Sequence, residues 1–345
     1  MRRIRHFLLV LCVVALGSGW GSTVFAQTAI DLHTGRVTKA RPNENPMSKQ
    51  RIMARDRALA TQDSLDYNEA VAKAFLLLRK DSLSQAQHEL ERALRLRPKA
   101  ETNAVLRLNL AKIYYWRKQW HDADRTLREV REDFARQLAQ KGNVKTSLEA
   151  GTNGNLQSLL NETRTWHCNT LYQLGKYQLA ADSIQTFLQQ KPELSPHEGM
   201  DVCTLLGDCY FALKNYDAAV AAYKRTLKIE ANAFEALLPM AQALQALHRE
   251  EEALMWLNSA LQYENYEEPL VARAKLHRAM ANEEAALADW EVLVKENPQN
   301  LQYQVARAEM LLAVGKKKKA KDAVKKLLHA GFPHRELPAQ LQEIK

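Results

Sequence analysis

A small residue, then alanine twelve positions later, then a large apolar residue four positions after that, recurs seven times in this 345-residue chain. The clearest copy spans residues 200–233, where Gly207, Ala219 and Tyr223 hold the three places. The other copies are Ala74/Ala86/Leu90, Ala111/Ala123/Leu127, Cys168/Ala180/Ile184, Ala241/Ala253/Leu257, Ala274/Ala286/Trp290 and Ala308/Ala320/Val324. This spacing predicts two amphipathic helices per copy, whose backbones cross closely at the small residues.

The pattern resembles the tetratricopeptide repeat, a helix–turn–helix unit of about 34 residues. Within residues 200–233, the Leu206-Gly207 pair, Tyr210 and Ala219 match its signature. One such unit cannot cover its own apolar face, so units have to stack. The resemblance covers about residues 67–334 and implies an all-α chain, a right-handed α-solenoid of about seven repeats. The 12 glycines and the scarcity of alternating strand patterns agree with an all-α fold.

The first 26 residues have the features of a signal peptide. Arg2, Arg3 and Arg5 precede an apolar run over 7–16, and Val24-Phe25-Ala26 offers a cleavage site before Gln27. The alternative is an uncleaved anchor, because 7–25 is just long enough to span a thin bilayer. We therefore expect an exported protein that is periplasmic or outer-membrane associated in a bacterial envelope.

The rest of the chain divides around the repeats. Residues 27–62 are polar and contain Pro42 and Pro46, which predicts a flexible tether, with a short helix near 46–59 as the alternative. Units 1–2 then occupy 67–137, an insertion loop occupies 138–160, units 3–7 occupy 161–334, and a short capping helix occupies 335–345. For the insertion, the alternative is that the flanking helices extend beyond their normal length.

The charge is mildly basic. Cleavage of the signal peptide would lower the net charge from +9 to +6, which does not predict a dedicated nucleic-acid binder. The last repeat nevertheless concentrates lysines, which form either a solvated face or a contact for an anionic surface, whether a membrane surface of lipid headgroups or an acidic partner. This basic patch consists of Lys316, Lys317, Lys318, Lys319 and Lys321.

The sequence offers no catalytic constellation. It contains no glycine-rich phosphate loop, GxSxG, HExxH or paired CxxC motif, so we expect no enzymatic activity, cofactor or metal site. After signal cleavage, Cys168, Cys203 and Cys209 remain, an odd number. They are interpreted as small apolar fillers at helix crossings, with a Cys168–Cys203 disulfide as the alternative.

The resemblance implies a concave groove lined by the first helix of each repeat. The matching positions predict a ligand-binding groove made of Lys112, Tyr115, Thr165, Asn169, Tyr172, Thr204, Asp208, Phe211, Gln242 and Lys275. Its aromatic residues are either anchors for a peptide or core residues between adjacent helices. Some family members clamp a ligand's terminal carboxylate; Asn169 fits that pattern, but Thr165, Asp201 and Leu205 do not, so no clamp is expected.

These features predict an exported, non-enzymatic adaptor that holds a protein or peptide partner in its groove. The alternative is an envelope assembly or surface-docking factor that places its lysine-rich last repeat on anionic lipid or polysaccharide. The oligomeric state does not follow from the sequence.

Overall fold

The computed structural model describes residues 49–98, 100, 103–141, 147–190, 194–231, 233–262 and 267–344, and these residues form helices and turns without a strand. The all-α prediction is therefore confirmed for this part of the chain. The predicted signal peptide, and the predicted tether up to residue 48, lie outside the described residues. None of the described helices combines the length and apolar character needed to cross a membrane.

The chain forms two compact units. The first contains residues up to Lys176 together with Phe187–Glu193, and the second contains Tyr177–Thr186 and the chain from Leu194 onward. In the first unit, helices α1 and α2 pack as a pair, and α3 packs with α4, which in turn packs with α5. These helices are α1 Lys49–Arg79, α2 Leu83–Leu96, α3 Asn103–Trp116, α4 Trp120–Lys141 and α5 Ser147–Gln173. Helix α6, Tyr177–Gln189, is divided between the two units.

The second unit contains four further helix pairs, each packed within itself. They are α7 Pro196–Ala212 with α8 Tyr216–Ile229, α9 Phe234–Ala246 with α10 Glu250–Ala260, α11 Glu267–Ala279 with α12 Glu283–Glu296, and α13 Leu301–Ala313 with α14 Lys317–His329. A 3-10 turn at His334–Glu336 and helix α15, Ala339–Gln342, follow in the region predicted as a cap. Helix α15 contacts α13 and α14, and its Leu341 is buried, so it covers the apolar end of the last pair.

The recurring residues of the pattern are buried in all seven copies. All seven alanines at the second place of the pattern, from Ala86 to Ala320, are completely buried. The residues at the first and third places are buried as well, from Ala74 and Leu90 to Ala308 and Val324. The spacing seen in the sequence is therefore the spacing of the helix contacts.

The turn inside each pair is also repeated. Seven residues after each small residue, the backbone enters the left-handed region, and the next amide donates to the carbonyl five residues earlier, as Asn215 does to Tyr210 at 2.9 Å. This is the Schellman ending of a helix. The left-handed residues at these seven turns are Asp81, Lys118, Gly175, Lys214, His248, Ala281 and Gly315. Five of the seven turns thus place a side chain where glycine is preferred.

Two predicted loops are helical where the structure describes them. The tether prediction is wrong over 49–62, because α1 begins at Lys49 and runs through a stretch without glycine or proline. The insertion-loop prediction is wrong over 138–141 and 147–160, where α4 and α5 extend beyond the usual repeat length, and 142–146 lie outside the described residues. Leu156 and Leu160 of α5 pack in the same core cluster as Phe134 of α4, and this apolar contact favours the longer helices.

Candidate protein-interaction site

Lys112 of α3 lies in the interior of the first unit. Its side chain is only 2% exposed, and its Nζ forms an ion pair with Glu162 of α5. The ammonium also lies 5.8 Å from the ring centroid of Trp166. Burial lowers the pKa of Lys112 below its ordinary value, and the Glu162 carboxylate partly offsets this effect. The groove assignment of Lys112 is therefore wrong, because its charge is used to join two helices.

Tyr115 belongs to an aromatic cluster in the first unit. Its ring meets Trp120 edge-on at 5.0 Å and Trp166 at 5.2 Å, and Trp116 meets Trp166 at 5.7 Å. Burial raises the pKa of the Tyr115 hydroxyl, which is also hydrogen-bonded to Gln173. The four rings pack together, as the core interpretation of this position predicts. The tryptophans were not among the predicted site residues, although two of them lie within five positions of Tyr115 in the sequence.

The three predicted groove residues of α5 lie four or three positions apart along one face and are half-buried. Thr165 Oγ1 donates to the carbonyl of Asn161 at 3.1 Å, and Asn169 Nδ2 donates to the carbonyl of Thr165 at 3.0 Å. These bonds hold both polar side chains against their own helix. The hydroxyl-and-amide face formed by Thr165, Asn169 and Tyr172 is therefore positioned before any ligand arrives.

In the second unit, Thr204, Asp208 and Phe211 form the corresponding face of α7 and are also half-buried. Asp208 accepts a hydrogen bond from the hydroxyl of Tyr223 at 2.8 Å, and its burial raises the pKa of the carboxyl. Phe211 packs edge-on against Tyr216 at 5.4 Å. Each of these side chains thus contacts helix α8 while part of it remains accessible.

Thr204 completes this face through its hydroxyl, which lies 3.2 Å from that of Thr226. Further along the unit, Gln242 of α9 and Lys275 of α11 are exposed, and neither has a side-chain hydrogen bond or ion pair among the described residues. Arg278, one helical turn beyond Lys275, is bound by Glu309 at 2.9 Å. Some polar side chains of the second unit are therefore held by contacts within the protein, whereas Gln242 and Lys275 are available to contact a ligand.

The basic patch lies at the start of α14. All five of its lysines are exposed, and none has an ion-pair partner in the described part of the chain. The opposite side of α14 presents Ala320 and Leu327, which are fully buried. The patch is consequently a solvent-facing positive surface on a firmly packed helix.

The three cysteines are free, buried thiols. Burial raises the pKa of Cys168 to about 12 and also raises that of Cys203. The alternative of a Cys168–Cys203 disulfide is therefore wrong for this structure. Within the described residues, no three histidine, cysteine or acidic side chains come together as metal ligands would.

Comparison with known proteins supports the repeat assignment. A family model described as tetratricopeptide repeat matches residues 106–136 and 205–233. A search of the curated proteins gave no significant match.

Among solved structures, a tetratricopeptide repeat protein from Parabacteroides merdae is 20% identical, with a TM-score of 0.53 over 81% of this chain and 98% of its own. PilF of Pseudomonas aeruginosa is 18% identical, with a TM-score of 0.50 over 72% of this chain and 99% of its own. The apo form of RapI is 14% identical, with a TM-score of 0.53 over 80% of this chain and 79% of its own. These likenesses concern the fold, and the family model identifies residues 106–136 and 205–233 as tetratricopeptide repeats.

Proposed function

We propose that this chain is an exported, non-enzymatic scaffold that holds a protein or peptide partner against the first helices of its repeats, in a bacterial envelope. Tetratricopeptide repeats generally mediate protein–protein interaction, which gives the class of function. The observation that carries the proposal is the half-buried face of Thr204, Asp208 and Phe211 on α7. There an aromatic ring and polar groups are fixed by contacts with α8, as expected of a preorganised binding surface.

Site-specific photo-crosslinking in cells of the source organism tests this proposal. A benzoylphenylalanine residue at Gln242 or Lys275, both exposed on first helices, is expected to capture a partner. The control is the same residue at Met255, which is 68% exposed but lies on the second helix α10. Capture at Met255 with none at the two first-helix positions would contradict the proposal.

A binding measurement with the captured partner then tests the aromatic contact. Phe211→Ala is expected to weaken binding about tenfold or more, because a well-placed aromatic anchor contributes about 2 kcal/mol. Met255→Ala removes a comparable apolar side chain from a second helix and should leave the affinity unchanged. The export part is tested separately by mass spectrometry of the purified protein, whose first residue is expected to be Gln27.

A second candidate function is docking of the basic patch on anionic lipid or polysaccharide. It is favoured by the exposure of the five lysines and their lack of ion-pair partners among the described residues. Binding to phosphatidylglycerol vesicles that falls steeply between low and high salt is the expected result. Retention of the chain on neutral vesicles to the same extent would contradict it.

A further inference from the structure

Two helix pairs are joined by the same kind of ion pair. In the first, Lys73 of α1 pairs with the buried carboxylate of Glu89 on α2. In another, Arg273 of α11 binds Asp289 of α12 through two hydrogen bonds of 2.9 and 2.6 Å. In each case the cation stands one position before the small residue of its repeat, and the acid follows it by sixteen residues. A cation at this place is thus balanced by a carboxylate on the facing helix.

The last helix pair has a cation at this position but no carboxylate sixteen residues later. Arg307 of α13 stands one position before Ala308, and sixteen residues further on the chain has Ala323. The Nε of Arg307 is buried and has no hydrogen-bond partner in the described structure. Because a buried guanidinium N–H group without an acceptor is unfavourable, this arginine is suited to receive an anion.

The surroundings of Ala323 strengthen the positive charge. Ala323 belongs to the buried face of α14, and Lys319 and Lys326, four positions before and three positions after it, lie at the border of that face. Both are exposed and have no ion-pair partner among the described residues. The single acidic residue in the sequence of α14 is Asp322, which is exposed and likewise without an ion pair there.

We propose that Arg307, together with Lys319 and Lys326, binds a carboxylate side chain from an acidic segment of a partner protein. The carboxylate would serve Arg307 as Asp289 serves Arg273. A carboxylate is favoured over a lipid phosphate because both occupied examples in this chain use one, and because the partly buried Arg307 is best reached by a projecting side chain. Arg307 is outside the predicted groove, so this proposal does not depend on the groove function.

The test measures binding of a fluorescein-labelled octaglutamate peptide to the full-length chain by fluorescence anisotropy. Ala323→Asp supplies the missing internal carboxylate and is expected to weaken binding at least tenfold. Lys317→Gln is the matched control, because it also lowers the net charge by one but lies six positions from Ala323. It should weaken binding less than threefold. Equal losses in the two variants would overturn the proposal, since they would show a diffuse charge effect.

Arg307→Gln provides an independent variant in case Ala323→Asp disturbs folding, and it too should weaken peptide binding at least tenfold. Met255→Ala, on the exposed side of α10 and outside both proposed sites, should leave the peptide affinity unchanged; a loss there as large as that of Arg307→Gln would contradict the proposal. Vesicles of phosphatidylcholine and phosphatidylglycerol form the second arm. If they bind in an Arg307-dependent manner while the peptide does not, the site recognises lipid phosphate and the proposal of a protein carboxylate is overturned.

Discussion

Gly207 provides the sharpest test of the helix-crossing argument. A Cβ atom at this position would lie 2.5 Å from Cδ1 and 2.8 Å from Cζ of the Tyr223 ring. That ring is fully buried, and its hydroxyl donates to Asp208 at 2.8 Å, so it has little room to withdraw. Gly207→Ala must therefore displace Tyr223 and weaken its hydrogen bond.

The expected loss of stability follows from three contributions. Overpacking a buried site costs about 1–3 kcal/mol, and weakening one buried hydrogen bond costs about 1 kcal/mol. Alanine in place of glycine within a helix recovers about 1 kcal/mol. The free energy of unfolding should therefore fall by about 2 kcal/mol, a combination of these terms.

The assay is urea unfolding followed by circular dichroism, with Gly199→Ala as the control on the same helix. A Cβ at Gly199 would meet a single described side-chain atom, Ile229 Cδ1 at 3.2 Å, on a residue that is 41% exposed and can move. That variant should be neutral or more stable by up to about 1 kcal/mol. Because repeat proteins can unfold in parts, hydrogen exchange of α7 and α8 should be measured alongside. Equal stability of the two variants would refute the close crossing.

Three further predictions concern buried ionisable groups of the first unit. Glu162→Gln should destabilise the chain by about 3 kcal/mol at pH 7, because it leaves the charge of Lys112 unpaired. Since the pKa of Lys112 is already lowered by burial, the deficit should shrink in urea titrations as the pH rises toward 10 and the ammonium deprotonates. A constant deficit would contradict this. Burial also lowers the pKa of His167 below 6.5, so the unfolded chain takes up the proton more readily and stability should fall as the pH drops through 6.5. His167→Gln should make the stability depend less on pH in this range. An unchanged slope would show that another group causes the pH dependence. Finally, the pKa of about 12 and the burial of Cys168 predict that a thiol reagent at pH 8 labels it only after unfolding, which mass spectrometry of the modified peptide would show.

The helix pairs could be predicted because their signal is local and repeated. The place of Ala219 in the core follows from its distance to Gly207 and Tyr223, and every copy of the pattern obeys the same rule. The pattern is informative because it repeats at a fixed spacing, although alanine at any single position is common. The fold was therefore readable from the sequence alone.

Whether an individual site residue is buried or exposed depends on contacts between residues that are far apart in the sequence. The position of Lys112 within its repeat predicts a groove residue. Its ion-pair partner Glu162, however, lies fifty residues later, on helix α5, which begins within the predicted insertion loop. No local sequence pattern predicts this ion pair. The glycine- and asparagine-rich stretch before Leu156 likewise favours a loop by composition, whereas packing against Phe134 favours the helix. Packing between residues far apart in the sequence determines both the burial of Lys112 and the helix before Leu156.

The left-handed turns also bear on how the repeats open. A residue other than glycine in this conformation costs about 1 kcal/mol or more, and five turns in the described chain carry that strain, at Asp81, Lys118, Lys214, His248 and Ala281. Glycine at any one of them would relieve it without altering a buried side chain. Resistance to local fraying can thus be adjusted one repeat at a time, which makes this chain suitable for asking where along an array of repeats unravelling starts.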